Sequence, residues 1–210
     1  IKLVETKSGN ENFIEFDSQW SEPIQSFIYE NADGTTSTLD VDKKIVITTY
    51  SSNYKKISEK TLDLELPLFG TFYSGEKYNY IVYGKKNLKE ENIEVIRIVK
   101  YDKKFNRIAA TSIKGDDIMT VIPFSYSSGG KIAEQGNVLV YHTSRIRYTS
   151  EDGRNHQSQL TLEINTDTMK VINELKAFPW NHVSHSLNQY VLADSKRIAY
   201  LDHGDGSPRA

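Results

Sequence analysis

The sequence predicts an all-β fold, a β-propeller of four-stranded antiparallel blades, and three observations support this. A strand–turn–strand motif recurs as "IVITTYSSNYKKI" (45–57), "IRIVKYDKKFNRI" (96–108) and "LTLEINTDTMKVI" (160–172), aligned without gaps at spacings of 51 and 64 residues. A tyrosine motif recurs in nearly the same period: "FIYENADG" (27–34), "YIVYGKKN" (80–87), "RIRYTSEDG" (145–153) and "RIAYLDHGDG" (197–206). No sustained amphipathic helix pattern is present. A four-stranded unit repeating every ~50 to 65 residues is the length of a propeller blade. A β-sandwich also has short strands at regular spacing, but two motifs recurring in phase favour the propeller.

The first motif to repay inspection is the hairpin. Ile96, Ile98 and Lys100 alternate with Arg97, Val99 and Tyr101, and Leu160, Leu162 and Ile164 alternate with Thr161 and Glu163. Period-two patterning with β-branched residues reads as a strand. Ser51-Ser52-Asn53, Asp102-Lys103-Lys104 and Thr166-Asp167-Thr168 follow as type I turns, because a short oxygen side chain at the first position accepts a backbone N–H. The next strand is expected to begin at Tyr54, Phe105 or Met169. The tyrosine motif reads as a strand running into a loop, with Asp33-Gly34, Asp152-Gly153 and Asp205-Gly206 supplying a turn that needs positive φ. Tyr29, Tyr83, Tyr148 and Tyr200 are expected once per blade, packing blade against blade. A further apolar strand precedes each: "NFIEF" (12–16), "GTFYSG" (70–75), "NVLVYH" (137–142) and "QYVLAD" (189–194).

Taken together these place blades at about 10–63, 66–114 and 118–177, and a partial one at 183–202, within a single domain over 1–210. About three and a half blades are thus expected. Because propellers close with 4 to 8 blades, the sequence is expected to be the front part of a longer propeller, truncated at its C-terminal end, with the remaining blades of the parent chain as its first partner. Ile1 stands in place of an initiator Met and no apolar leader core follows, so a leader has been removed or the sequence starts inside a longer protein.

Composition narrows the function classes. The 26 basic and 28 acidic residues give a net charge of −2, which leaves no field for nucleic acid. Lys85-Lys86, Lys103-Lys104 and Glu90-Glu91 read as solvated faces. With no cysteine, thiolate chemistry and Cys-based zinc sites are excluded. No apolar run reaches the roughly 18 residues of a membrane span.

The segments "FYSGEKYNYIVYG", "RIRYTSEDGRNHQSQLTLEINTDTM", "HVSHSLNQYVL" and "LDHGDGSPR" resemble those of uncharacterised secreted or cell-surface β-propeller proteins of Gram-positive bacteria, over about residues 66–209. The resemblance implies the fold and an extracytoplasmic setting and brings no catalytic residues. The blades lack the Trp-Asp ending of WD40 repeats and the paired glycines of kelch repeats.

Candidate sites are few. His182 and His185 lead into the innermost strand of the last unit. Three apart, they point to opposite faces of a strand, so one of them can face a central channel. Tyr73 and Glu134, just before the corresponding strands of the second and third blades, would share its mouth. An imidazole, a carboxylate and a phenol suit sugar or metal binding; the competing reading is that His185 bonds a backbone group at the strand start. Asp202, His203 and Asp205 are read as turn residues, with Asp202 and Asp205 as weak candidates for calcium, a cation that takes oxygen ligands. His156 reads as a local turn contact, and His142 ends a strand with no triad to join. Trp20, Tyr73, Tyr126 and Trp180 are candidates for a carbohydrate-stacking surface. No catalytic motif stands out and no cofactor is expected other than calcium. The reading is a non-catalytic extracellular module that binds a protein or carbohydrate. The alternatives are a glycan-active hydrolase or lyase with its site in the channel, and a structural spacer of a larger surface protein.

Overall fold

The computed structural model describes residues 26–124, 129–173 and 186–204. It is all-β, apart from one helical turn at Gly115–Ile118. The first sheet comprises β1 (Ser26–Glu30), β2 (Thr36–Val41), β3 (Ile45–Tyr50) and β4 (Lys56–Leu62). The second comprises β5 (Leu68–Ser74), β6 (Asn79–Gly84), β7 (Glu94–Tyr101) and β8 (Arg107–Lys114). In both, strands pair antiparallel in chain order. The third sheet runs β10 (Lys131–Gln135), β11 (Val138–Thr149), β12 (Asn155–Asn165) and β13 (Lys170–Val171), with β9 (Thr120–Pro123) also paired to β11. A hairpin of β14 (Ser186–Ala193) and β15 (Ile198–Gly204) follows.

The sheets stack face to face in order. Alternation along the strands sends odd and even residues into different interfaces. In β6, Ile81 and Tyr83 join Leu39, Val41, Ile45 and Ile47 of the first sheet. Tyr80 and Val82 join Leu139, Tyr141, Leu160, Leu162 and Ile164 of the third. Every residue of β6 is therefore buried, which is why "NYIVYG" lacks the polar-apolar alternation of a half-exposed strand. The first strands lie together, β10 touching β5 on one side and β14 on the other. Successive four-stranded meanders with adjoining first strands are the blades of a propeller, and the chain forms part of one.

The three hairpin motifs carry a left-handed residue at the same place, the third in a longer turn in which Met169 donates its N–H to the Asn165 carbonyl. The residue that was expected to open the next strand instead closes the turn in the left-handed region: Tyr54 at φ 56°, Phe105 at 58° and Met169 at 53°. The strands begin two residues later in the first two copies and one residue later in the third. In the β3–β4 turn, Tyr54 donates its N–H to Ser51 and Ser51 donates to Lys55; in β7–β8, Phe105 and Asp102 repeat the pattern. The β1–β2 and β11–β12 turns do the same with Gly34 and Gly153 at φ 78° and 77°. Each is a type I turn closed by a left-handed residue. Phe105 and Met169 occupy a position suited to glycine because their side chains are buried between sheets, 5% and 4% exposed.

Two expectations about the repeat need correction. "NVLVYH" is not a separate strand; it is the first half of the 12-residue β11, which continues through Thr143-Ser144 to Thr149. The first strand of the third sheet is instead split: β10 pairs with Val138–His142 and β9 with Arg145–Arg147. At the break, Phe124 (φ 63°, fully buried) lies over Gly70 and Gly84 of the second sheet. A Cβ at Gly84 would come within 2.4 Å of its ring. The break hides the strand from a periodicity argument. Tyr29 is the second correction. It lies in a first strand, whereas Tyr83, Tyr148 and Tyr200 lie in second strands. Those three all face the preceding sheet. Tyr83 packs with the first-sheet core, Tyr148 bonds Asn87 and Asp116, and Tyr200 bonds Glu163.

Tyr54 is 82% exposed and holds positive φ with little packing in return. Tyr54→Gly should raise the urea midpoint and with it the unfolding free energy, the latter by about 0.5–1 kcal/mol once the entropy of the freer unfolded chain is set against the ~1–2 kcal/mol of left-handed strain. Phe105→Gly relieves the same strain yet should destabilise by about 2–4 kcal/mol through loss of buried ring. Equal shifts for the two variants would refute this account of the turn.

Candidate functional site

The first strands of the second and third sheets bring Tyr73 and Glu134 together. Tyr73 is the penultimate residue of β5, and Glu134 the penultimate residue of β10. The turn after β5 is tight, with Gly75 donating to the Tyr78 carbonyl at 2.9 Å. The Glu134 carboxylate rests directly on Gly75: a Cβ there would meet Oε2 at 2.0 Å. This glycine is required for close approach, since any side chain would expel the carboxylate.

The Glu76 backbone N–H lies toward the Glu134 carboxylate and the Glu134 backbone N–H toward the Tyr73 hydroxyl, each favouring the charged form. The fully buried Tyr80 stacks beside Tyr73 at 6.4 Å between ring centroids, and its hydroxyl is directed toward Glu134 outside good hydrogen-bonding geometry. Burial holds Glu134 above the ordinary carboxylate range; Tyr80, the Glu76 N–H and Lys103 offset part of that shift. Burial likewise raises Tyr73 and Tyr80, with the Glu134 charge adding to both. Tyr73 and Glu134 line a cavity of about 540 Å³ together with Glu76, Lys77, Tyr78, Gly136, Asn137, Thr166 and Asp167.

Two lysines flank the cavity. Lys103 was expected on a solvated face. Its ammonium is instead tied to Ser74 Oγ at 2.8 Å, the Gly75 carbonyl at 2.8 Å and Asn79 Oδ1 at 2.9 Å, and desolvation lowers its pKa. Lys100, 4% exposed, donates to the Thr166 carbonyl at 2.7 Å and lies 3.7 Å above the Tyr78 ring. The repeat pattern placed Lys100 correctly on the face with Ile96 and Ile98, but not its ammonium beside a ligand-sized cavity.

The remaining candidates fall elsewhere. His182, His185, Asp205, Trp20, Tyr126 and Trp180 lie outside the described residues. Asp202 is not in a turn; it lies within β15, paired with Gln189, and its Oδ2 is 3.1 Å from Nε2 of the buried His142. His203 is exposed on the other face of the strand. His142 does not end a strand either: it sits inside β11, where Nδ1 meets Thr161 Oγ1 at 2.8 Å. Hydroxyl, imidazole and carboxylate are neighbours, but His142 Nε2 approaches Asp202 without hydrogen-bond geometry and Thr161 is only 5% exposed. The trio pins the hairpin to the third sheet. The only advance signal was an imidazole on the face of β11 opposite Leu139 and Tyr141. His156 contacts Asp152 at 2.7 Å across the β11–β12 turn, a local contact. Among the described residues no group of three His, Asp or Glu side chains converges as a metal site, and no helix is long and apolar enough to cross a membrane.

No protein-family model and no curated protein matches the chain. Among solved structures it is similar to an exo-β-1,3-galactanase from Clostridium thermocellum, with a TM-score of 0.38 and 8% identity, over 76% of this chain and 35% of that one. It is also similar to a GH43 β-1,3-galactosidase, with a TM-score of 0.35 and 10% identity, over 89% of this chain and 44% of that one. The chain spans less than half the length of either.

The raised Glu134 pKa has a thermodynamic consequence. A carboxyl that holds its proton more tightly folded than unfolded makes the native state the better proton binder, so stability falls as pH rises from the unfolded value through the folded one. Glu134→Gln removes the charge and keeps the acceptor for the Glu76 N–H. Its melting temperature should exceed that of the parent at pH 7 and converge with it near pH 4. A variant less stable than the parent at pH 7 would show that Glu134 is held for structure.

Proposed function

We propose that the chain is a non-catalytic binding module for a carbohydrate, displayed outside the cell, with its ligand in the cavity between the first strands of the second and third sheets. The observation that carries this reading is the meeting of Tyr73 and Glu134, from neighbouring blades, in the wall of one cavity of about 540 Å³. Cavities of ~300–1,000 Å³ with a few convergent polar groups are the usual form of small-ligand sites. Tyr73 and Tyr78 offer apolar ring faces with polar tips, and Glu76, Glu134 and Asp167 offer hydrogen-bond acceptors for hydroxyl groups. A structural spacer needs no such cavity. The extracytoplasmic setting draws on the motif resemblance alone.

Glycan hydrolysis is the second reading, favoured by one feature: burial makes Glu134 hold its proton more tightly than an ordinary carboxyl, the direction a general acid requires. A glycosidase also needs a second carboxylate across the scissile bond, and Glu76 and Asp167 line the same cavity.

Titration calorimetry against a panel of oligosaccharides tests the binding reading. Tyr73→Ala should weaken the best ligand at least tenfold, about 1.4 kcal/mol, with the melting temperature within a few degrees of the parent. Binding unaffected by Tyr73→Ala would remove the cavity from the account. New reducing ends released by the parent and abolished in Glu134→Gln would replace the binding reading with the hydrolytic one.

A further inference from the structure

We infer that Arg145 and Ser158 form a buried site for a small oxyanion, a small carboxylate or inorganic phosphate, between the second and third sheets. Neither residue lines the cavity, so the site is independent of the binding reading. Arg145 on β11 stands directly opposite Ser158 on β12. Opposed residues of an antiparallel pair share a face, with ~4.5–5.5 Å between their Cβ atoms. Alternation makes this the face of Tyr141 and Leu160, which packs on the second sheet. Both residues are 0% exposed.

The guanidinium is only partly bonded. Nη1 donates to the carbonyls of Ile118 and Met119. Nε and Nη2 have no partner among the described residues, and neither has the Ser158 hydroxyl. Those two nitrogens make up the side edge of the guanidinium. Their N–H bonds run parallel and match two oxygens of one carboxylate or phosphate. Ser158, beside that edge, can donate a third bond to the same anion. A buried donor without an acceptor is costly, and a buried charge without a counter-charge is more so. Among the described residues no carboxylate acts on Arg145; burial and the charge of Arg147 both work against its protonated form. A water molecule would answer the hydrogen bonds and leave the charge; an oxyanion answers both.

Side-chain nuclear magnetic resonance on the intact, arginine-labelled chain at pH 7 tests this. The Arg145 Nε–H signal, assigned by its loss in Arg145→Met, is followed as formate or phosphate replaces chloride at constant ionic strength, which keeps screening unchanged. It should move along a saturable curve with at least one of the two, and the anion that saturates at the lower concentration identifies the source. The same anion should raise the melting temperature of the parent. That rise should vanish in Arg145→Lys, which keeps a charge but loses the fork. Ser158→Ala leaves the arginine in place, so it tests the site even where an Arg145 variant does not fold; it should weaken the anion several-fold. A signal that stays at its chloride position through both titrations, or a binding curve unchanged in Ser158→Ala, overturns the inference and leaves the binding reading as it stands.

Discussion

Face-to-face packing of four-stranded sheets is the constraint on which the rest of this protein depends. A meander of four short strands has two apolar faces and no core of its own, so each sheet is stable only against its neighbours. The second sheet shows this most fully. One face shares a core with Leu39, Ile45 and Ile47, the other with Leu139, Leu160 and Leu162. Phe105 and Met169 hold left-handed backbone because they reach these cores.

Polar side chains between the sheets set the orientation that apolar packing alone leaves loose. Glu65, in the link between the first and second sheets, takes Arg97 at 3.2 Å and Arg107 at 2.8 Å, which holds its carboxyl below the ordinary range despite burial. Asn87 bridges the second and third sheets through Tyr148 at 3.1 Å and the carbonyls of Glu91 and Thr120. Arg145, fully buried, donates to the carbonyls of Ile118 and Met119 at the end of the helical turn; burial draws its pKa down to about 9. The His142–Asp202 contact does the same work for the hairpin. Such contacts specify an arrangement, because a buried polar group left without a partner costs more than the bond contributes.

The candidate site is a by-product of the same packing. Gly75 lets the Glu134 carboxylate in, and the turn bearing Thr166 brings a carbonyl to Lys100. No single blade contains the site. The burial that raises Glu134 comes from the closeness of two first strands; Lys103 is enclosed by the β5–β6 turn of its own sheet.

Local pattern was enough for what is local. The hairpin motif predicted the strands on either side of 51–54, 102–105 and 166–169, and the Asp-Gly pairs predicted the turns at 33–34 and 152–153, since strand alternation and turn chemistry act over a few residues. Pairing Tyr73 with Glu134 was also legible, because equivalent places in successive blades meet near an axis. The split between β9 and β10 was not, since Phe124 earns its strained backbone from glycines forty and fifty-four residues away. Nor were the fates of Lys100, Lys103, His142 and Asp202 legible. Alternation assigns a side chain to a face, but which atoms of the next sheet lie opposite depends on register and stacking. The sequence by itself determined that this is a repeat of antiparallel four-stranded units; tertiary structure alone decided which charges are buried, which are paired and where a ligand-sized space is left, because those depend on distances between chains of atoms far apart in sequence.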